Sequence, residues 1–438
     1  MLLAVAAAWL AAAAQPASAT KIERVISPGG IEAWLVREPS LPLVAINFAF
    51  LGGANQDPSD KPGVGYMAAS LLDNGAGELD AKAFQEQVEG NAVQLNFSVG
   101  RDYLYGSIRM LRDRQEPSVN LLRLALNQPR FDADEVERGR AQIMASLRRE
   151  TTEPNSIASK TWWKTAFANH PYGKPQNGSL ETVPTITVAD LKSYVQRVLT
   201  RDNLKIAAVG DIDAATLGDL IDRVFGALPA RGTLAPVANL SPAAVGQRIV
   251  VQLDVPQSVV LMGGMGLTRK DPDFMPAFVV NHILGGGSFT SRLYNEVREK
   301  RGLAYGVHSF LSSLRHSALL MASTQASADR TAQALELIET EIRRMVEQGP
   351  TEDELAKAKA YLKGSYALAF DTSTKIASQL LQIQLDDLGI DYIDRRNGLI
   401  DAVTLDDAKR AARRLAEGGM FVTVVGRAKQ LGGKDSGG

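Results

Sequence analysis

The chain has 438 residues, too many for one ordinary core, so two or more domains are expected. Its 45% hydrophobic and 22% charged composition is that of a globular protein, and a formal net charge of −1 gives no electrostatic reason to expect a nucleic-acid partner. The absence of cysteine excludes disulfides, thiolate metal sites and a cysteine nucleophile.

Residues 1–19, "MLLAVAAAWLAAAAQPASA", are apolar and end in Ala-Ser-Ala, the small-x-small pattern of a signal-peptide cleavage site. No Lys or Arg precedes the apolar run, which departs from the usual signal. An uncleaved membrane helix is the alternative, but the run is short for a span and no later stretch approaches that length. Export, to the periplasm, with a mature chain that lacks a membrane span is the expectation.

Past Thr20, "LPLVAINFAFLGG" (41–53) reads as a strand ending in glycines. "KPGVGYMAASLLDNG" (61–75) reads as a short helix with a glycine stop. "QLNFSVGRDYLYGSI" (94–108) has the pattern of a hairpin, and "FDADEVERGRAQI" (131–143) that of an acidic, capped helix start. "ITVADLKSYVQRVL…IAAVGDI" (186–212) is a helix followed by a strand that closes at Val-Gly. The stretch around 230–247 is rich in Pro, Ala and Gly without helical periodicity and is expected to link two domains, 20–229 and 248–430. The remaining 431–438 is expected to be a disordered tail.

The second domain repeats the first. "VPQSVVLMGGMG" (255–266) matches the strand at 41–53, and "PAFVVNHILGG" (276–286) matches the helix at 65–75. "PTEDELAKAKAYL" (350–362) matches 131–143, and "VTLDDAKRAARRLA…VTVVGRA" (403–428) matches 186–212. The offset is about 212 to 219 residues throughout, which implies duplicated domains rather than a solenoid. Mixed strands and helices with hairpin pairs predict an α+β fold: two homologous domains, each a mixed, mainly antiparallel sheet covered on one side by helices.

Side chains at i and i+4 share one face of a helix, so two histidines there can bind one zinc while a nearby glutamate activates its water. In the inverted motif H-x-x-E-H the glutamate stands just before the second histidine. The chain resembles the pitrilysin, insulysin and mitochondrial-processing-peptidase family of inverted-motif zinc peptidases over nearly its whole mature length, including the duplication. In that family a strand, a polar loop and Lys-x-Gly lead into the motif. Here "FLGGANQDPSDKPG" leads instead to Tyr66 at the first histidine, Ala69 at the glutamate and Ser70 at the second histidine. The spacing of the family's third ligand falls on Ser146, and a glutamate often present in active members falls on Gly139. Neutral Tyr and Ser are poor zinc ligands and Ala accepts no proton, so no cofactor is expected on this chain. Packing alone is the competing explanation of 61–75, but the repeat, the strand-loop-helix order and the Ser146 spacing argue against it.

The four histidines, His170, His282, His308 and His316, form no i,i+4 pair. The glycine run "LGGGSFTSRL" (284–293) is not followed by Gly-Lys-Ser/Thr, and no G-x-S-x-G elbow appears. In "SRLYNEVREKRGLAYGVHS" (291–309), read as a basic helix, a turn at Gly302 and a strand from near Leu303, the family's R-x-x-x-x-x-x-Y falls on Arg298 and Tyr305. The resemblance implies that these two hold a substrate backbone and stabilise oxyanion charge. Judged on composition, Arg298 is instead one of several solvated charges with Arg292, Lys300 and Arg301. The resemblance further implies a non-catalytic, substrate-binding subunit whose zinc is carried by a homologous H-x-x-E-H chain in a heterodimer, acting on peptides or unfolded polypeptide. Substrate would then bind extended along a sheet edge. Two other roles use the same fold: a stand-alone peptide-binding or chaperone-like protein, and a structural scaffold like the core proteins of the respiratory cytochrome reductase complex.

Overall fold

The computed structural model describes residues 21–427 and 434–435, so the expected signal peptide at 1–19 lies outside the described residues, as does the tail apart from Lys434 and Asp435. The first sheet contains β1 (Ile22–Ile26), β2 (Glu32–Arg37), β3 (Leu43–Leu51), β4 (Gln94–Val99), β5 (Tyr103–Leu111) and β6 (Leu204–Gly210). The second contains β7 (Arg248–Gln252), β8 (Gln257–Met265), β9 (Ala304–Ser313), β10 (Ala318–Ser327), β11 (Phe421–Gly426) and β12 (Lys434–Asp435).

The strand orders are β1-β2-β6-β3-β5-β4 and β12-β7-β11-β8-β10-β9. With β2 matched to β7, β3 to β8 and so on to β6 and β11, five of the six positions repeat. In each set one pair is parallel, β2 with β6 and β7 with β11, and the others are antiparallel. The duplication read from the sequence is thus a duplication of topology. The copies differ at the outer edge, where β1 pairs antiparallel with β2 but β12 pairs parallel with β7. Capping boxes also recur in both halves: Thr187 with Asp190, and Thr404 with Asp407, each closing the start of a helix that precedes a central strand.

Side chains alternate across the sheets with a period of two. Leu35, Ile46, Phe48, Phe50, Ile206 and Ala208 face one core of the first half, covered by that half's own helices. Trp34, Val36, Ala49, Ala207 and Val209 face the other way and pack on Ile376, Ala377 and Leu380. Those three lie on the helix Ser373–Leu385, which belongs to the second half. The second sheet mirrors this. Val260, Met262, Val422 and Val424 face its own helices, whereas Leu319, Met321 and Phe421 pack on Trp162, Ala166 and Phe167. Trp162 and Ala166 lie on the helix Pro154–Ala166 of the first half, with Phe167 at its C-terminal cap.

So the helical cover expected on one face is present, and the opposite face of each sheet takes one helix from the other half. This explains why β3 and β11 are buried along almost their whole length. Both exchanged helices also donate a side-chain hydrogen bond to the central strand they cover: Trp162 Nε1 to Phe421 O at 3.1 Å, and Gln384 Nε2 to Ile206 O at 2.9 Å. Gly263 on β8 makes room for the indole, since a Cβ there would stand 2.1 Å from Trp162 Cζ2.

The halves also meet tip to tip. The β4–β5 turn carries Asp102 and the equivalent β9–β10 turn carries Arg315 and His316. Asp102 accepts the Arg315 backbone N–H at 3.0 Å, the Tyr172 hydroxyl at 2.5 Å and the Asn55 amide at 3.0 Å. Tyr172 in turn accepts the His316 N–H at 3.1 Å. The connection between Phe225 and Arg248 has no helix or strand and is tied to both halves. Ala235 exchanges two hydrogen bonds with the Gln56 side chain, Ala238 O meets His170 Nε2 at 2.9 Å, and Leu240 N–H donates to His316 O at 2.9 Å.

Candidate functional site

The helix within 61–75 spans Val64–Ala69, with Ser70 as its C-terminal cap, and turns carry the chain on from there. It starts where the Asp57 carboxylate accepts the N–H groups of Gly63 and Gly65, both at 2.7 Å. These bonds favour the carboxylate, but burial outweighs them and pushes the Asp57 pKa up to about 7. Tyr66 and Ser70 both face outward, as the i,i+4 spacing requires, and Tyr66 is 39% exposed. Ala69, between them in sequence, turns inward and is 2% exposed. The Ser70 hydroxyl donates to Met67 O at 2.9 Å, so its proton is used by its own helix.

Ser146 lies on the helix Ala133–Glu150, and its Oγ stands 3.5 Å from Glu150 Oε1. Gly139, on the same helix, packs under Leu71, and a Cβ there would come within 3.0 Å of Leu71 Cδ2. These residues do not fit a zinc ion. They offer hydroxyls and a methyl where imidazoles and a carboxylate are needed, and the Gly139 position is closed by a leucine. Among the described residues no group of three or more His, Asp or Glu side chains is placed to hold a metal.

Glu150 and Tyr66 instead line a cavity of about 870 Å³ in the N-terminal half. Glu150 is paired there with Lys160 at 2.7 Å and accepts two hydrogen bonds from the Asn177 amide, at 2.9 and 3.1 Å. Across the cavity Arg101 lies 3.6 Å over the Trp163 ring and donates to Tyr172 O at 2.6 Å. Burial lowers the Arg101 pKa to about 10. The sequence offered no signal for Arg101 or Trp163 as site residues, because they meet only when a hairpin turn is laid against a helix some sixty residues away.

In the C-terminal half the structure does bring the predicted pair together. The Arg298 guanidinium carbon sits 4.7 Å from the Tyr305 ring centroid and 4.8 Å from that of Tyr294. Tyr305 stands on β9, the edge strand of its sheet, and is 85% exposed. Phe289, 70% exposed, meets Tyr294 edge-on at 5.1 Å and extends the aromatic rim. The "basic helix" has an irregularity where the pair begins: Tyr294–Glu299 is π-helical, which widens the turn that carries Arg298.

The reading of Arg298 as one more solvated charge is tested by its neighbours. Arg292 makes a two-pronged ion pair with Glu354, both contacts at 2.7 Å, and Lys300 and Arg301 share Glu296 at 2.5 and 2.6 Å. Among the described residues no carboxylate lies within ion-pairing distance of Arg298. Three of the four cations are ion-paired, and the fourth is presented on aromatic rings at an open edge.

Residues 34–178 match the family description "Insulinase (Peptidase family M16)" and residues 185–362 match "Peptidase M16 inactive domain". A Helicobacter pylori protein described as a non-peptidase homolog, YmxG, is 27% identical over 335 residues, which are 76% of this chain and 77% of that one. An uncharacterized zinc protease of Bacillus subtilis, also YmxG, is 23% identical over 90% of this chain and 95% of its own length. Among solved structures, a peptidase M16 inactive domain from Pseudomonas fluorescens superposes with a TM-score of 0.87 at 27% identity, covering 95% of this chain and 99% of that one. A Helicobacter pylori protease shares the fold, with a TM-score of 0.84 at 19% identity over 93% and 99% of the two chains. This chain belongs to the M16 peptidase family as one of its inactive, non-catalytic members.

Proposed function

We propose that the protein is the substrate-binding subunit of an exported, periplasmic zinc peptidase. Its zinc would be carried by a homologous H-x-x-E-H chain, and its own contribution would be Arg298 and Tyr305. The observation that carries this reading is the presentation of Arg298, without an ion pair among the described residues, between two tyrosine rings at an exposed sheet edge. A guanidinium and a phenol placed together can donate to a carbonyl oxygen as it gains charge, which is what peptide hydrolysis on a neighbouring metal requires. The substrate is a peptide or unfolded segment, held in extended form. No helix among the described residues is long and apolar enough to cross a membrane.

The test is purification of the chain alone and together with an H-x-x-E-H homologue. Zinc-dependent peptidase activity is expected only from the pair. Arg298→Ala and Tyr305→Phe should each lower its turnover at least about ten-fold while association of the two chains is unchanged. Activity from the isolated chain, or full turnover from both variants, overturns the proposal.

A further inference from the structure

The cavity beside the former metal helix has features that packing does not explain. Its volume of about 870 Å³ is that of a pocket for a small ligand or the end of a peptide. One wall is a stack: the Arg101 guanidinium lies 3.6 Å over Trp163, and the Trp163 and Phe167 rings are 5.3 Å apart with 21° between their planes. Trp163 and Phe167 give an apolar surface against which a side chain can lie. Arg101 gives a planar fork that the indole holds in one orientation.

The charges are unbalanced. Glu150 is the cavity's only carboxylate among the described lining residues, and Lys160 and Asn177 already neutralise it. Lys174 donates to Ser59 O. Arg101 donates one hydrogen bond, to a backbone carbonyl, and has no carboxylate within ion-pairing distance among the described residues. Asp102, its chain neighbour, directs its two oxygens to Asn55, Tyr172 and the Arg315 N–H, away from this need. Lys164, on the same helix face as Lys160, is exposed and also without an ion pair among the described residues. A half-buried guanidinium that has lost part of its hydration without a counter-ion is stabilised by an incoming anion.

We propose that this cavity binds a carboxylate carried on an apolar peptide segment, with the carboxylate on Arg101 and Lys164 and the apolar side chain against Trp163 and Phe167. Two sources share that chemistry, the free C-terminus of a peptide and an acidic side chain beside an apolar one. The site lies wholly within the N-terminal half and needs no partner chain, so its failure and that of the proposed subunit role are separable.

The test uses the full mature chain alone and fluorescein-labelled hexapeptides ending in Leu-Phe, read by fluorescence anisotropy. Three probes are compared: the free acid, its C-terminal amide, and an amide with an internal Glu before Phe. The free acid should bind at least about ten-fold more tightly than the plain amide, and the Glu-containing amide regains this only if acidic side chains are accepted. Lys164→Glu, at an exposed helix position that leaves the core intact, should weaken the acid at least about five-fold and leave the plain amide unchanged. Arg101→Lys, which keeps the charge and removes the fork, should do the same. Equal binding of acid and plain amide, loss of neither with Lys164→Glu, or no binding of any probe overturns the proposal.

Discussion

In the N-terminal half the positions that the resemblance assigns to the zinc site hold a phenol facing outward, a buried methyl and two hydroxyls, each hydroxyl with its partner on its own helix. In the C-terminal half, on the same strand order, Arg298 is held between two rings with no carboxylate beside it among the described residues. The first set of side chains is turned to packing and local bonds, and the second leaves a cation without an ion pair among the described residues. Duplicated topology therefore does not make the two copies equivalent in what they present. That is decided by whether polar groups are spent on their own fold, as with Ser70, or left available, as with Arg298.

The comparison can be broken most severely through the exchanged helices. Trp162→Ala removes a fully buried indole and its bond to Phe421 O. It should cost about 3–5 kcal/mol, read by urea denaturation. Because the helix belongs to one half and its contacts to the other, both halves should lose stability in one transition; two separate transitions would show that they fold independently.

Ala69→Glu tests whether the former metal site is closed or only emptied. A carboxylate forced into a position 2% exposed should destabilise the chain by about 2–3 kcal/mol. If the space were still open, the variant would be as stable as the parent. Asp57 gives a pH-dependent effect. Its folded pKa of about 7 lies above the ordinary aspartate value, so the folded state holds a proton that the unfolded state has released. The stability this proton provides is fully present below about pH 4 and is lost as pH rises through about 7. Thermal melts of Asp57→Asn should therefore lack that component, with a difference from the parent of roughly 4 kcal/mol between pH 4 and pH 8. Arg298→Ala is the opposite extreme. With no ion pair to break among the described residues, it should shift stability by less than about 0.5 kcal/mol, in contrast with Arg292→Ala, which breaks a two-pronged pair with Glu354.

Much of this was legible in the sequence because it is carried by local pattern. Strands ending in glycine and acidic helix starts are short-range signals, and with the near-constant offset between copies they pointed to the two sheets and their repeat. The assignment of Tyr66, Ala69, Ser70 and Ser146 to the family's zinc-site positions came from the resemblance, not from the residues themselves. The exchange of helices was not legible. Pro154–Ala166 and Ser373–Leu385 are ordinary amphipathic segments, and nothing in such a segment states which sheet it covers. The Arg101–Trp163 stack was hidden for the same reason: its members lie on different elements and neither belongs to a motif. The π-helical turn at Tyr294–Glu299 depends on backbone hydrogen bonds that residue identity does not specify.

The exchanged helices also limit how the molecule can move. A protein of two lobes joined by one connection can swing open on that connection like a door. Here each lobe has a helix seated under the other, so opening would have to unseat Trp162 from one sheet and Leu380 from the other at once. The chain is therefore latched from both sides, and parting the two lobes costs both buried contacts at once.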